Sequence, residues 1–126
     1  MSEARALIAA FHELNRTDDR RVGHFTPSLA GMFGSKSMLG LFLDELDAAL
    51  VSGKISEPLR TRSTNLVHTF LPQVAGYNGI TDLADLDVTA EQLRAVRADS
   101  PQNRLQGVRV ILAGFMKVLE EVIKIS

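Results

Sequence analysis

The side chains able to do proton or metal chemistry are few, and their spacing does not join them. The histidines are His12, His24 and His68. His12 sits in Phe11-His12-Glu13-Leu14-Asn15, a His-Glu pair with no second histidine four residues on, so the helical zinc-protease motif is absent. His12 and Arg16 share a helix face, which offers no ligand pair. A metal centre would need the histidines, or carboxylates beside them, to converge in space. The plainer expectation is three unconnected surface histidines and no metal. Cysteine does not occur. That removes thiolate ligands, thiol nucleophiles and a disulfide framework, and it fits a reducing compartment.

Serine chemistry fares no better. A nucleophile elbow needs Gly-x-Ser-x-Gly, whereas Gly34-Ser35-Lys36-Ser37 lacks the second glycine and stands before a helix, where serine acts as a cap. With Gly31 upstream, the same segment lacks the spacing and the Gly-Lys-Ser/Thr ending of a phosphate loop, although amides at a helix start can hold an anion without a motif. The acidic pairs Asp18-Asp19, Asp44-Glu45 with Asp47, and Glu120-Glu121 fall on amphipathic segments as solvated faces. No Glu-x-x-His pair suggests a di-iron bundle. No catalytic, cofactor-binding or metal-binding residue is therefore assigned, no cofactor is expected, and nothing asks for an enzyme.

Two other features carry more. The segment with Leu29, Met32, Phe33, Met38, Leu39, Leu41 and Phe42 is rich in methionine, phenylalanine and glycine. Leu41 lies off the main face of its helix, so that helix is apolar nearly all round until Asp44. Such a helix is central to a core or is covered by a second subunit. Met32, Phe33, Met38, Leu41 and Phe42 are the candidate interface residues. The last helix raises the same question, because Val110, Met116, Val118 and Ile123 lie outside its main stripe. The second feature is the arginine run Arg60, Arg62, Arg94, Arg97, Arg104 and Arg109, interleaved with Asp82, Asp85, Asp87 and Glu91. Arg62, Arg94, Arg97, Arg104 and Arg109 are candidate phosphate contacts; scattered solvent charges and weak surface pairs are the plainer alternative.

The elements that must position these residues read as helices. Ser2 caps a first helix to about Asn15, with Ala6, Leu7, Ala10, Phe11 and Leu14 at helical spacing. A polar stretch, Asn15 to Arg21, follows, and Thr26-Pro27 opens a short helix. Ser35 or Ser37 starts the next, with Leu39, Phe42, Leu43, Leu46 and Leu50 on one face and Gly53 as its C-cap. Ser56-Glu57-Pro58 opens a helix carrying Leu59, Leu66, Val67, Phe70 and Leu71, which Pro72 must kink or end. Gly76 to Gly79 is turn chemistry, and Thr81 to Asp87 forms at most one helical turn. Thr89 with Gln92 makes a capping box for a short helix to about Ala98. Ser100-Pro101 caps a long last helix with the stripe Val108, Ile111, Leu112, Phe115, Leu119 and Val122. No period-two run argues for a strand, and no internal repeat is present. The expectation is one all-α domain over residues 1–126, a compact bundle of five to seven helices, some short.

Composition agrees. The chain has 126 residues, 45% hydrophobic and 23% charged, within the range of a globular domain able to bury a core. Fourteen basic residues against fifteen acidic give a net charge of −1, which excludes the global basic field of a dedicated nucleic-acid binder but not a local patch. The N-terminus carries no signal-peptide pattern, and the apolar-rich stretch Leu29 to Val51 is too interrupted by glycine and charge to span a membrane, so the expected location is the cytoplasm.

Three stretches stand in order: a long helix from Thr61 to Tyr77, a short turn before a capped helix from Ile80 to Thr89, and Ser100-Pro101-Gln102-Asn103-Arg104-Leu105 at the start of a last helix. With them, from about residue 60 to residue 126, the chain resembles the helical core-binding (SAM-like) domain of phage integrases and other tyrosine recombinases, in its first long helix, its short turn and the start of its last helix. The resemblance covers about half the chain and rests mostly on helix caps. It implies a helical module of that shape with the arginines against phosphates. It does not imply recombination, because no downstream domain bears the family's arginines, histidine and nucleophilic tyrosine. The leading expectation is a non-enzymatic helical interaction module, a homo-oligomer or binder of a protein partner, working through an apolar helix face. A DNA-binding accessory module using the arginine set is the alternative, and a small enzyme with no recognisable motif the third.

Overall fold

A computed structural model describes residues 2–16 and 31–125. His24, Leu29, Asp18-Asp19, the Thr26-Pro27 helix start and all but the first two residues of the polar stretch lie outside them. Among the described residues the protein is all-helical, without strands, as the spacing of apolar residues predicts.

Helix α1 runs Glu3–Arg16 and buries Leu7, Ile8, Phe11 and Leu14 along one side. Helix α2, Lys36–Ser52, starts where the Met38 N–H donates to Ser35 Oγ (3.1 Å). It ends where Gly53, at φ 71°, adopts the left-handed conformation and donates its N–H to the Ala49 carbonyl. Two side-chain pairs tie α1 to α2: Arg5 Nε to Asp47 Oδ1 at 2.9 Å and His12 Nε2 to Asp44 Oδ1 at 3.0 Å.

Helix α3, Glu57–Asn65, begins with the Ser56 cap and Pro58 in its first turn. It does not end at Pro72. The chain widens into a π-helical turn over Leu66–Phe70, closed by the Leu71 N–H donating to the Leu66 carbonyl, and continues as α4, Leu71–Tyr77. A proline inside an α-helix collides with the carbonyl four residues back. The wider turn falls where that carbonyl, of His68, stands, so the rod passes the proline instead of breaking. Its second effect is on register. Leu59, Ser63, Leu71 and Ala75 are the buried positions of the rod. A regular helix with Leu59 and Ser63 inside would turn Phe70 inward as well. The extra residue taken up by the π-turn brings Leu71 inward and leaves Phe70 at the surface.

The rod ends in a turn around Gly79 (φ 71°), with the Ile80 N–H returning to the Ala75 carbonyl. A single 3-10 turn, Leu83–Asp85, follows. Helix α5, Ala90–Arg94, opens with the full capping box: Gln92 N–H to Thr89 Oγ1 and Thr89 N–H to Gln92 Oε1. It stops at Arg94, short of the expected Ala98.

Helix α6, Pro101–Ile123, is the axis of the fold, and every other helical element among the described residues packs against it. That explains most of its all-round apolar character: Val110, Met116 and Val118 are buried within the single chain, which makes them core rather than subunit interface, while Ile123 is half-buried. Arg60 of α3 closes its far end by donating to the Ile123 carbonyl (2.9 Å) and to that of Ile125, a cation on the carbonyl-rich end of a helix. At the centre four phenylalanines meet. Phe115 stands edge-on to Phe11 at 5.0 Å, and Phe33 and Phe42 stack on each other at 5.1 Å and beside Phe115.

Candidate functional site

The candidate interface residues separate into interior and surface. Phe33 and Phe42, 7% and 1% exposed, belong to the aromatic cluster and cannot reach a partner, because the rings fill the space between α2 and α6. Met32 is half-buried. Met38 and Leu41, 47% and 57% exposed, remain at the surface of α2. Leu41 borders an open cleft of about 750 Å3 between α1 and α2, whose polar lining includes His12, Asn15, Arg16 and Asp44. Asn15 is buried there and donates to the Lys36 carbonyl at 2.9 Å, but its Oδ1 has no partner among the described residues. The Asn15 amide thus holds the start of α2 against the end of α1.

The arginines are dispersed. Arg94 pairs with Glu13 of α1, Arg97 with Asp99, and Arg109 with Asp82, each at 2.7 Å. Arg62 lies over the Phe42 and Phe33 rings, 4.5 and 5.4 Å from their centroids, so its guanidinium roofs the aromatic core. Arg104 is exposed on the first turn of α6. Two aspartates are held below the ordinary carboxyl pKa. For Asp99 the Asn103 amide is the main cause and Arg97 the next; for Asp87 it is Lys117, whose ammonium approaches at 2.7 Å.

His12 pairs with Asp44, while His68 is exposed on the π-turn. Among the described residues no three of His, Cys, Asp and Glu cluster as metal ligands would. Ser35 Oγ accepts the capping bond from Met38, and Gly34 before it takes a left-handed φ of 98°. Among the described residues no helix is long and apolar enough to cross a membrane.

One surface was not among the candidates drawn from composition. Between Arg62 and Asp82 the chain contains no Lys, Arg, Asp or Glu. From Ser63 to its end the rod therefore carries no Lys, Arg, Asp or Glu, and its outer side there has two exposed aromatics, Phe70 at 37% and Tyr77 at 91%. The signal was present as a long gap in the charge pattern. It was masked because regular helical spacing assigned Phe70 to the core. Comparison with protein-family models, with curated proteins and with solved structures found no match.

Proposed function

We propose that the chain is a non-enzymatic helical interaction module of the cytoplasm, which docks protein on an exposed, uncharged helix face. The observation that carries this reading is the outer side of the rod, where Tyr77 stands in solvent and Phe70 is part-exposed, with no Lys, Arg, Asp or Glu along the chain from Ser63 to Thr81. Interface centres are distinguished from the rest of a protein surface by depletion of charge and enrichment in aromatic residues. An aromatic ring left in water gives up the favourable burial that it would gain against a partner. Met38 and Leu41 on α2 form a smaller second patch, flanked by the carboxylates Asp44 and Glu45.

The test is photo-crosslinking in cells that make the protein, with a benzophenone side chain at position 69 on the rod or at position 41 on α2. Covalent adducts from position 69 and few from position 41 are the expected result. Absence of adducts of any mass from position 69 refutes the docking role of the rod. Adducts from position 41 alone would move the interface to α2.

A further inference from the structure

Another cleft lies where α2 gives way to α3. The left-handed Gly53 stops α2 and Ser56 caps α3, so only a short connector joins the two helices. Between them opens a space of about 580 Å3. Ala48 of α2 and Pro58 and Leu59 of α3 give it apolar walls, and Glu45, Lys54 and Arg62 bring charge to it. Pro58, Leu59 and Arg62 fall on one side of α3 by helical spacing, as Glu45 and Ala48 do on α2.

None of these three charges has an ion-pair partner among the described residues. Arg94, Arg97 and Arg109 lie against carboxylates and Arg60 against carbonyls, whereas Arg62 makes neither an ion pair nor a hydrogen bond among those residues. The order of residues explains this. Three and four places away on its helix stand Pro58, Leu59, Asn65 and Leu66, none of them acidic. Glu45 has Leu41, Phe42, Ala48 and Ala49 at those places, and so no base. Lys54 stands on the connector, where its backbone N–H donates to Ser52 Oγ at 3.2 Å and its ammonium bonds to no described residue.

Arg62 differs from an ordinary unpaired surface cation because its head group is held in place. It lies 4.5 Å from the centroid of Phe42 and 5.4 Å from that of Phe33, two rings of the aromatic core. Cation–π attraction positions the guanidinium and leaves its N–H donors unbonded. Such a group presents a fork that matches two oxygens of one carboxylate or phosphate. Two cations against one carboxylate leave the cleft one positive charge in excess. That suits a singly charged anion, and Glu45 opposes a doubly charged one. The walls add a second requirement, an apolar body behind the charged head.

We propose that this cleft binds a small organic carboxylate with an apolar body. Arg62 takes the carboxylate oxygens, Lys54 stands as the second cation, and the body lies along Ala48, Pro58 and Leu59. A free acid and the C-terminal end of a peptide share this chemistry. The site does not depend on the docking role of Phe70 and Tyr77. Both cations are exposed, and charge pairs in water are weak, so the dissociation constant is on the order of 1 mM at low salt.

The test is a titration of isotope-labelled protein with sodium hexanoate at low, constant ionic strength, followed by amide NMR. Saturable shifts should appear at amides of residues 45–62, and hexanol at the same concentrations should give none. Arg62→Met keeps the stem over the rings without the fork and should weaken hexanoate by about tenfold or more. Lys54→Gln, on the exposed connector, should weaken it about threefold, and it keeps the test intact if Arg62→Met melts early. Equal binding of hexanol, shifts that never saturate, or unchanged affinity in either folded variant overturns the inference. Inorganic phosphate binding as tightly as hexanoate overturns it too, because the apolar body would then contribute nothing. Tighter binding of N-acetyl-alanyl-leucine than of hexanoate, lost when its C-terminus is amidated, assigns the site to a peptide end. The reverse order assigns it to a free acid.

Discussion

Replacing Ser63 by alanine should make this protein more stable, although the change deletes a polar group from a helix in contact with the core. Ser63 is fully buried on α3, and among the described residues its Oγ has no hydrogen-bond partner. A buried hydroxyl left unpaired costs about 1–3 kcal/mol of desolvation. Deleting it removes that cost and leaves a void the size of one oxygen, worth on the order of 0.3 kcal/mol. Alanine also favours the helix over serine by up to about 0.5 kcal/mol. The balance is a gain of about 1–3 kcal/mol. Unfolding entropy of about 2.1 cal/mol/K per residue turns this into a melting temperature about 4–11 °C higher for a chain of this length. Urea titration should move the midpoint upward with an unchanged slope, since the exposed surface does not differ. A midpoint that falls would refute the reasoning, because it would show that the hydroxyl is satisfied in the folded protein and was contributing to its stability.

Three further outcomes follow from the same packing. Phe115→Ala removes the ring that touches Phe11, Phe33 and Phe42 at the centre of the molecule and should destabilise it by about 3–5 kcal/mol in denaturant titration, a large share of the roughly 5–15 kcal/mol that holds an ordinary domain folded. Thr89→Ala deletes the cap of α5 and half of its reciprocal bonding, a loss of about 1 kcal/mol in the same assay, with the helical circular dichroism almost unchanged because α5 is one short helix. Carboxyl NMR titrations of Asp99 and Asp87 should give midpoints below those of the same residues in the urea-unfolded chain. Both groups are held low by bonds that favour the ionised form, so their contribution is present above the unfolded-state pKa and is lost as the pH falls through the folded-state value. Midpoints equal to the unfolded ones would show that the Asn103, Arg97 and Lys117 contacts do not persist in solution.

Much of the architecture was legible in the order of residues. Caps depend on one side chain and the amide three residues on, so Ser56, Thr89 and Ser100 marked helix starts that the structure repeats, and of Ser35 and Ser37 it takes Ser35. The 3.6-residue spacing of apolar side chains likewise identified α1, α2 and α6 and the all-α class. What it could not supply was the neighbour of each face. The surplus apolar residues of α6 looked the same whether they met a second subunit or the rest of the chain, and only its place at the centre of the bundle made them core. On α2, side chains one residue apart diverged: Phe42 went inside among the phenylalanines and Leu41 stayed in water. The arginine run was visible as a run, but the pairing of Arg94 with Glu13, of Arg109 with Asp82 and of Arg62 with the Phe42 ring depends on elements far apart in the chain, whereas Arg97 pairs locally with Asp99.

The rod marks the boundary most clearly. By itself the sequence determined that a helix begins at Ser56, that Pro72 disturbs it and that no charge falls between Arg62 and Asp82. The tertiary structure decided how the disturbance was absorbed. A proline inside a helix can end it, bend it or widen one turn, and these choices differ in which side chains they bring against the neighbouring helix. Packing Leu59, Ser63, Leu71 and Ala75 on the side away from solvent selects the widened turn, and that one extra residue sends Phe70 outward to stand beside Tyr77. Spacing along the chain is a local property. The face that spacing presents is set by what the rest of the molecule has already filled.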